Sequence, residues 1–513
     1  NRYLSFPDVV YLPSGKLLCA YRDADIHYPP DVSTTELYLI ESTDRGKTWG
    51  TRRLFPQTLR DRAIWCWHCP RLSLLSDGRV ALVCDLVRPG VGPSSVYVSL
   101  SEDEGQTWST PIDTGAFGIV PDRLIEVGPN DWITTCHYPR PEQPGSRLSQ
   151  RVYGTVDGGK TWSLRSILAE DDNLDYTETS IVHLGDSELV AYIRENSFLH
   201  LPTLVCYSRD GGRSWTKPAL HPSHGHRPCA GLLAPDSMLV TYREVSGTPG
   251  LVAWLGSPRE LGWHPMLKDL AGDAHFHHHM LEINHPGGEW HGVEVPLFPL
   301  VNWEQEFRLS VRVARLEGEE KSCVICGAGT LYVLEDKIVF RHQPDVEQPE
   351  EWLEPVSYEL DTGTPHTYTI GYRARRVTIE VDSQPVGSFE IGPRPGMGQR
   401  KLSFGNRFCP ARSLVAFRES SGVSQWYSAA LEISQPSGER ITWEWKAADG
   451  VPPNFYQLER MCMIDRETSG DLAEAGYSGW TKIDDTTVYC VDYRRCEAEK
   501  PYIVGHQLRV AGC

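Results

Sequence analysis

The chain has 513 residues, of which 40% are hydrophobic and 23% charged, a composition typical of folded globular proteins that excludes wholesale disorder. Its 68 acidic and 50 basic residues leave a formal charge of −18, so nucleic acid and anionic membrane surfaces are not expected as partners. No apolar run reaches the roughly 18 residues of a membrane-spanning helix, and the many glycines, prolines and aromatic residues favour strands and turns.

Pairs of short apolar segments joined by turns recur along the first half of the chain. Turns such as Pro13-Ser-Gly15, Ser76-Asp-Gly78 and Ala234-Pro-Asp236 separate the members of a pair, as is typical of β-hairpins. The pairs predicted in chain order are residues 8–12 with 16–21, 71–75 with 80–85, 124–127 with 132–136, 179–184 with 188–193, and 230–233 with 238–242.

An eight-residue motif, S/T-x-D-x-G-x-T/S-W, follows each of the first four hairpins. Its aspartates, 53 to 59 residues apart, are Asp44, Asp103, Asp157 and Asp210. This spacing suits a four-stranded propeller blade better than a helical repeat. The aspartate accepts backbone N–H bonds in a tight turn, the glycine supplies a positive φ and the tryptophan covers the hairpin. The motif therefore predicts a structural element and not a catalytic one.

The regular spacing breaks between residues 262 and 455. Short strand-like segments without helical periodicity, which predict an inserted sandwich, occupy residues 307–314, 330–334, 337–341, 366–372, 376–381, 401–404 and 429–433. A sixth hairpin, residues 478–483 with 487–491, resumes the first pattern near the C-terminus. We therefore expect blades 1–5 in residues 1–261, the insert in 262–455, and blade 6 with closure in 456–513.

The repeated motif is the Asp box, and its repetition resembles the sialidase superfamily, whose members are six-bladed propellers. Within the insert, the stretch of residues 366–386 resembles the concanavalin-like jelly-roll lectin domains. The expected fold class is thus all-β: a six-bladed β-propeller with an inserted β-sandwich (jelly-roll) domain. Whether the insert binds glycan, or serves as a spacer or a wall of the active site, stays open.

Propeller geometry predicts which polar side chains share one face. The first strand of a blade runs along the central channel and the second returns antiparallel, so the start of one and the end of the other open together. The residues at these positions include Ser5, His68, Asp122, Glu178, Arg227 and Tyr477 at strand starts, and Arg22, Asp85, His137, Arg194, Arg243 and Asp492 at strand ends. Such convergence predicts a ligand pocket, the alternative being groups that cap strands and pair with each other.

Two segments match sialidases closely. The stretch around Glu178, followed by Leu189-Val-Ala-Tyr-Ile-Arg194, resembles the segment that supplies a glutamate and one arginine of the substrate-binding triad. Gly476-Tyr477-Ser-Gly resembles the segment that bears the nucleophilic tyrosine. A phenol with a reference pKa of about 10 needs a neighbouring carboxylate as base, so the resemblance implies Tyr477 as nucleophile and Glu178 as its base.

In sialidases the catalytic acid is an aspartate in the loop after the second strand of blade 1. In this chain the loop offers Asp25, Asp31 and His27, and we favour Asp25 because it lies closer to the strand end. The predicted catalytic residues are therefore Glu178, Tyr477 and Asp25.

The chain departs from sialidases where the sialic-acid carboxylate binds. The first arginine of the triad belongs in a segment whose counterpart here has Ser5, and blade 5 has no convincing match for the third. Either Arg22, Arg227 and Arg243 rebuild the anion site, or the substrate is a different sugar. The predicted substrate-binding residues are Arg22, His27, His68, Asp122, Arg194, Arg227 and Arg243.

These observations favour an exo-acting, exo-α-sialidase-like glycoside hydrolase that releases a terminal sugar, sialic acid or a related one, from a glycan. One alternative is a glycosidase or lyase for a neutral or uronic sugar on the same propeller. A second is a non-catalytic glycan-binding lectin. No signal peptide is visible before the first strand, so a cytoplasmic and a secreted location both stay open.

Neither a metal nor a cofactor is expected. The two Cys-x-x-Cys pairs, Cys66/Cys69 and Cys323/Cys326, fall in different predicted domains and have no companion pair at zinc-ribbon spacing. A histidine cluster at 275–279 lies at the predicted junction of propeller and insert without a matching carboxylate spacing. It serves equally well as a set of hydrogen-bond donors to sugar hydroxyls.

Overall fold

The computed structural model separates the chain into two compact units, Asn1–Gly262 with Arg460–Cys513, and Trp263–Glu459. The residues it describes are 2–27, 34–56, 66–88, 92–140, 145–172, 174–197, 201–244, 249–264, 266, 268–269, 274–277, 279–285, 293–296, 306–318, 322–326, 328–342, 353–391, 401–405, 422–434, 440–469 and 474–510. No helix within these ranges has the length and apolar character needed to cross a bilayer.

The first unit begins with four-stranded antiparallel sheets, one for each predicted blade. Blade 1 contains β1 (Tyr3–Tyr11), β2 (Leu17–Ala24), β3 (Glu36–Ser42) and β4 (Arg53–Leu54); blade 2 contains β5 (Cys66–Leu74), β6 (Val80–Arg88), β7 (Gly92–Ser101) and β8 (Ile112–Asp113). Blade 3 contains β9 (Ile125–Gly128), β10 (Asp131–Pro139), β11 (Leu148–Thr155) and β12 (Ser163–Ala169); blade 4 contains β13 (Tyr176–Gly185), β14 (Glu188–Glu195), β15 (Leu204–Ser208) and β16 (Ala219–Leu220). Blade 5 opens with β17 (Gly225–Ala234), β18 (Ser237–Glu244) and β19 (Gly250–Gly256).

The second unit contains a seven-stranded and an eight-stranded sheet. Its strands are β20 (Lys268–Asp269), β21 (Ala274–His277), β22 (Met280–His285), β23 (Val293–Pro296), β24 (Glu306–Gly318), β25 (Ser322–Cys326), β26 (Gly329–Val333), β27 (Lys337–His342), β28 (Leu353–Glu359), β29 (His366–Arg373), β30 (Arg376–Val381), β31 (Gln384–Glu390), β32 (Lys401–Gly405), β33 (Gly422–Ser434) and β34 (Arg440–Lys446). A 3₁₀ turn (Ala447–Asp449) and the helix α1 (Phe455–Arg460) follow. The two sheets pack face to face, since the rings of Phe340 and Phe389, one from each, lie 5.5 Å apart.

The chain then returns to the propeller. Strand β35 (Met461–Arg466) pairs with β19 and completes blade 5, and β36 (Gly479–Asp484), β37 (Thr487–Arg494) and β38 (Tyr502–Arg509) form blade 6. The insert therefore interrupts blade 5 before its outer strand. The described residues confirm the predicted all-β, six-bladed propeller with an inserted sandwich.

Polar contacts join each blade to the next and close the ring. The donors and acceptors, in order around the ring, are Leu72 N–H to Asp8 (2.8 Å), Ser76 N–H to Glu126 (2.6 Å), Ile181 N–H to Asp122 (2.6 Å), Ala230 N–H to Ser180 Oγ (3.1 Å), Thr241 with Ser478 through their hydroxyls (2.8 Å), and Tyr11 N–H to Thr481 Oγ1 (3.2 Å). These bonds hold the inner strands, which carry the site, in fixed positions.

A buried ionic network crosses the middle of the propeller. The fully buried carboxylate of Asp8 accepts hydrogen bonds from Arg123, whose Nε lies 3.0 Å away, and Arg71 Nε lies 3.5 Å from the same group. The two guanidiniums also donate to backbone carbonyls of blade 6, Arg71 to Ser478 at 3.3 Å and Arg123 to Trp480 at 2.9 Å. Burial alone would raise the pKa of Asp8, but Arg123 and Arg71 outweigh it, and the pKa is lowered.

The four aspartates of the repeated motif hold its turns. In the first copy, Asp44 accepts hydrogen bonds from the backbone N–H of Thr48 at 2.8 Å and from its hydroxyl at 2.6 Å, and Gly46 has φ +86°. These bonds, that of the Thr48 hydroxyl foremost, lower the pKa of Asp44 to about 2. The other three copies repeat the hydroxyl bond at the same distance. The local role of these aspartates is thus to fix the turn.

Candidate active site

Irregular backbone at the inner end of the blades shapes the site. Register shifts interrupt the first strands of blades 1, 2, 4 and 5. Phe6, Cys69 and Arg227 lie within three of these bulges with φ of +55°, +40° and +49°, a left-handed conformation that residues other than glycine rarely adopt. Strain of this kind is concentrated at functional sites in proteins. The bulges therefore indicate a functional site at this end of the channel.

The register of the hairpins brings the predicted strand starts and ends together. Ser5 pairs with Arg22, His68 with Asp85, and His226 with Arg243. Below them, the buried side chains of Phe6, Cys69, Val120, Tyr477 and Tyr493 pack into one cluster. The polar groups thus surround a packed, largely apolar floor.

Tyr477 lies at the centre of this arrangement. Its hydroxyl donates a hydrogen bond to the carboxylate of Glu178. Arg194, on the strand next to that of Glu178, donates from Nη1 to the phenol oxygen at 2.7 Å and to the two oxygens of Glu178 at 2.8 and 2.9 Å. All three side chains are buried. The structure therefore brings together the predicted nucleophile, the predicted base and one predicted substrate-binding arginine.

Electrostatics set the protonation of this trio. Burial alone would raise the pKa of Glu178, but Arg194 and the hydrogen bond from Tyr477 hold that pKa well below its ordinary value. Burial raises the pKa of Tyr477 to about 12, and Glu178 adds to the rise while Arg194 opposes it. The resting pair is consequently a carboxylate and a neutral phenol. Nearby cations must stabilise the phenolate for it to act as a nucleophile.

Further arginines supply such charge. The guanidinium carbons of Arg227 and Arg243 lie 5.2 and 4.6 Å from the centre of the Tyr477 ring. Arg22 lies 5.4 Å from the ring of Phe6, which itself contacts the Tyr477 ring at 5.5 Å. Nη1 of Arg227 and Nε of Arg22 are buried with no hydrogen-bond partner among the described residues. Unpaired buried donors of this kind suit an anionic ligand.

Three histidines at the site are held neutral. Burial, with Arg22 and His68 nearby, lowers the pKa of His27 to about 3, and its Nδ1 lies 2.6 Å from the hydroxyl of Tyr3. Burial and the neighbouring arginines lower the pKa of His226 to about 2, and burial also lowers the pKa of His137. These rings can exchange hydrogen bonds with a ligand, but they carry no positive charge at neutral pH.

His68 has a different environment. Its Nδ1 lies 3.1 Å from an oxygen of Asp85, and its Nε2 lies 3.7 Å from the sulfur of Cys69. The three side chains form a compact group of potential metal ligands. One potential ligand atom from each, a ring nitrogen, the sulfur and a carboxylate oxygen, lies within 4.8 Å of the other two, so the three groups form a compact triangle.

Two other predicted residues lie outside the trio. Asp25 forms an ion pair with Arg2 and accepts a hydrogen bond from Thr34 at 2.5 Å, and half of its side chain is exposed. Asp122 is buried between blades 3 and 4, where its carboxylate receives the Ile181 N–H bond that joins them. Asp122 therefore serves the packing of the blades.

Some residues named from the sequence cannot be placed at the site. Asp31 and His278 lie outside the described residues, as do the side chains of Cys323 and Cys326. Cys66 and Cys69 are free and buried.

The sequence prediction missed residues that its own pattern could have marked. Phe6 contacts His27, His68, Tyr477 and Tyr493, with ring centres 4.8 to 5.8 Å apart. It is adjacent to Ser5, the position where sialidases carry arginine. The inward position of Phe6 depends on the bulge in β1, which no local sequence pattern predicts. His226, by contrast, could have been predicted from its pairing with Arg243.

No family model matches this chain, and no curated protein matches it. Among solved structures it is similar to a Dyadobacter fermentans protein of unknown function, with 18% identity and a TM-score of 0.42, covering 57% of this chain and 93% of the other. Trypanosoma rangeli sialidase in complex with 2,3-difluoro-KDN is 12% identical with a TM-score of 0.40, and the match covers 89% of this chain and 94% of the other. Penicillium chrysogenum α-L-arabinanase complexed with arabinobiose is 15% identical with a TM-score of 0.38, and the match covers 55% of this chain and 88% of the other. These identities are too low to transfer an activity.

Proposed function

We propose that this protein is an exo-acting, sialidase-like glycoside hydrolase with Tyr477 as its nucleophile. The observation that carries the proposal is the hydrogen bond from the Tyr477 hydroxyl to Glu178, with Arg194 donating to both groups. A buried phenol paired with a carboxylate and flanked by guanidiniums is equipped to lose its proton as it attacks. Sialidases are the glycosidases that use a tyrosine in this way.

The first chemical step follows from these contacts. The phenol oxygen of Tyr477 bonds to the anomeric carbon while its proton passes to Glu178. At the same time the glycosidic C–O bond breaks, and the departing oxygen keeps the electron pair and takes a proton from an acid of the site. Arg194, Arg227 and Arg243 stabilise the negative charge that develops on the phenol oxygen. A neutral nucleophile meets no repulsion from a carboxylate on the same sugar, which a carboxylate nucleophile would. A later attack by water regenerates Tyr477, so we expect retention of anomeric configuration.

The substrate class we propose is a terminal sugar that carries a carboxylate. Arg22, Arg227 and Arg243 lie around the Tyr477 and Phe6 rings. In sialidases the first strand of blade 1 carries an arginine at the position that Ser5 occupies here. Because Ser5 pairs with Arg22, the second strand of the blade supplies a guanidinium beside that position. That the sugar is a terminal one rests on the resemblance to sialidases.

The two alternatives explain less of this site. A neutral sugar leaves the buried guanidinium donors of Arg22 and Arg227 without a charged acceptor. A lectin requires no phenol bonded to a buried carboxylate, since that pair adds reactivity and not affinity.

Turnover of chromogenic glycosides tests the proposal. The panel contains 4-nitrophenyl α-sialosides, β-glucuronides and neutral glycosides, and the expected result is hydrolysis of an acidic member with retained configuration. Hydrolysis of neutral members alone would refute the carboxylate site. Binding of glycans without turnover of any member would instead establish the lectin.

A further inference from the structure

The proposed reaction needs a proton donor for the departing glycosidic oxygen. Asp25, which the resemblance to sialidases implies, is engaged by Arg2 and Thr34 and lies half in solvent. His27 and His226 cannot serve as acids at neutral pH, because their pKa values of about 3 and about 2 leave them unprotonated. Asp31, the other aspartate of that loop, lies outside the described residues. The described part of the site holds a different candidate.

We infer that His68, oriented by Asp85, donates this proton, an inference that rests on the function proposed above. Direct cross-strand pairing of β5 and β6 sets His68 opposite Asp85, with Nδ1 3.1 Å from the carboxylate. Asp85 is fully buried, and its second oxygen has no hydrogen-bond partner among the described residues. A buried carboxylate so placed fixes the orientation and the tautomer of the ring beside it.

The other nitrogen of His68, Nε2, has a weak hydrogen-bond partner. Its neighbour is the sulfur of Cys69 at 3.7 Å, and sulfur is a weak hydrogen-bond partner. Burial, with the charge of Asp85, raises the pKa of the Cys69 thiol well above its ordinary value, so it remains a neutral thiol. A glycosidic oxygen would thus be a stronger partner for Nε2 than the one it has.

His68 and Tyr477 flank the same side chain. The ring of Phe6 lies 4.8 Å from that of His68 and 5.5 Å from that of Tyr477. Cys69, next to His68, lies close enough to Glu178 and Arg227 for their charges to shift its pKa. A sugar bound above Phe6 would therefore lie close to both the Tyr477 phenol and the His68 imidazole.

The step balances with these groups alone. Tyr477 bonds to the anomeric carbon and passes its proton to Glu178; the glycosidic C–O bond breaks, and its electron pair stays on the departing oxygen. That oxygen takes the proton from Nε2 of the His68 imidazolium. In the second step water gives a proton back to Nε2 and its oxygen to the anomeric carbon. The bond from that carbon to the Tyr477 oxygen breaks, and the released phenolate recovers its proton from Glu178.

Leaving-group dependence tests the inference. A general acid contributes roughly 10²–10⁴-fold to a rate when the leaving group is poor. For His68→Gln we expect a loss of about 10²-fold or more in kcat/KM on an alkyl glycoside, and a loss several-fold smaller on the 4-nitrophenyl glycoside, whose leaving group needs little protonation. Asp85→Asn, as the positioning variant, should show a smaller loss with the same dependence. His183→Gln, near the turn at the end of β13 opposite to Glu178, is the matched control and should leave both rates unchanged.

The results separate this inference from the proposed function. Equal losses on both leaving groups for His68→Gln and Asp85→Asn, in variants with wild-type thermal unfolding, would overturn the role of His68 while leaving Tyr477 as nucleophile. If His68→Gln fails to fold, Asp85→Asn decides by the same comparison. If the wild-type protein hydrolyses no glycoside, both proposals fall together.

Discussion

Tyr477 and Glu178 share a hydrogen bond although 299 residues separate them in the sequence. Most of that separation is the inserted unit, Trp263–Glu459. Blade 6 closes the ring by contacts with blade 1 and with blade 5. Ring closure places Tyr477 at the central channel, where it meets Glu178 of blade 4. The proposed catalytic pair therefore exists only when the ring is closed.

Replacing either partner should abolish most of the activity. We expect Tyr477→Phe and Glu178→Gln each to lower kcat by about 10²-fold or more, equivalent to about 2.7 kcal/mol of transition-state stabilisation. The double variant should be little worse than the worse single one, because the two groups act as a unit. Steady-state kinetics on the substrate found by the glycoside panel measures this.

Two variants outside the site control for that experiment. Tyr192→Phe removes a buried hydroxyl that has no hydrogen-bond partner among the described residues, and Glu188→Gln alters an exposed ion pair with Arg259. Both should retain wild-type kcat. Near wild-type activity in Tyr477→Phe alongside an inactive Glu178→Gln would exclude the tyrosine nucleophile.

Arg194→Lys should affect an acidic substrate more than a neutral analogue. Nη1 of Arg194 donates to Glu178 and Tyr477, whereas its Nε is buried with no hydrogen-bond partner among the described residues and is left for a substrate carboxylate. An ammonium cannot reproduce such a planar fork. We expect kcat/KM for the carboxylated sugar to fall by about 10- to 10²-fold, in line with the loss of one or two charge-assisted hydrogen bonds. Arg209→Lys, at an exposed position, serves as control. An equal loss on acidic and neutral sugars would show that Arg194 does not bind the carboxylate.

Asp8→Asn should destabilise the propeller strongly. The change leaves the buried guanidinium of Arg71 and the partly exposed one of Arg123 without their counter-charge, and breaking one partner of a buried pair costs about 3–5 kcal/mol. Asp77→Asn breaks an exposed turn ion pair with Arg79 and should cost less than about 1 kcal/mol. Urea unfolding of the two variants provides the comparison, and similar midpoints would contradict the importance assigned to the central network.

Asp492 should make stability depend on pH. Burial raises its pKa to about 7, against the opposing N–H bonds of Tyr493 and Gly476. The folded protein then holds this proton more tightly than the unfolded chain, whose aspartate has a pKa of 3.8. The stabilisation is complete below about pH 4 and is lost as the pH rises through about 7.

Asp492→Asn mimics the protonated side chain and should remove this dependence. Above pH 7 the variant should exceed the wild type in free energy of unfolding by roughly 2–4 kcal/mol, and below pH 4 the difference should vanish. Urea titrations at pH 4, 6 and 8 measure the effect. A wild type that gains stability between pH 5 and 8 relative to Asp492→Asn would contradict the raised pKa.

The sequence by itself determined the blade repeat and the hairpin register. Turn residues and strand periodicity are local, so the pairing of His68 with Asp85, and the position of Arg194 on the strand beside Glu178, follow from residues fewer than 20 positions apart. The Tyr477 segment was found from its resemblance to sialidases and not from local physics.

Only the tertiary structure decided how these hairpins meet. The left-handed bulges at Phe6, Cys69 and Arg227 are strained, and strain of that kind persists only where packing between blades enforces it. The same holds for Asp122, whose carboxylate is bound by a strand of the next blade, and for the pairing of β35 with β19 across the insert. Such contacts join residues far apart in the chain, and so their energies leave no local pattern in the sequence.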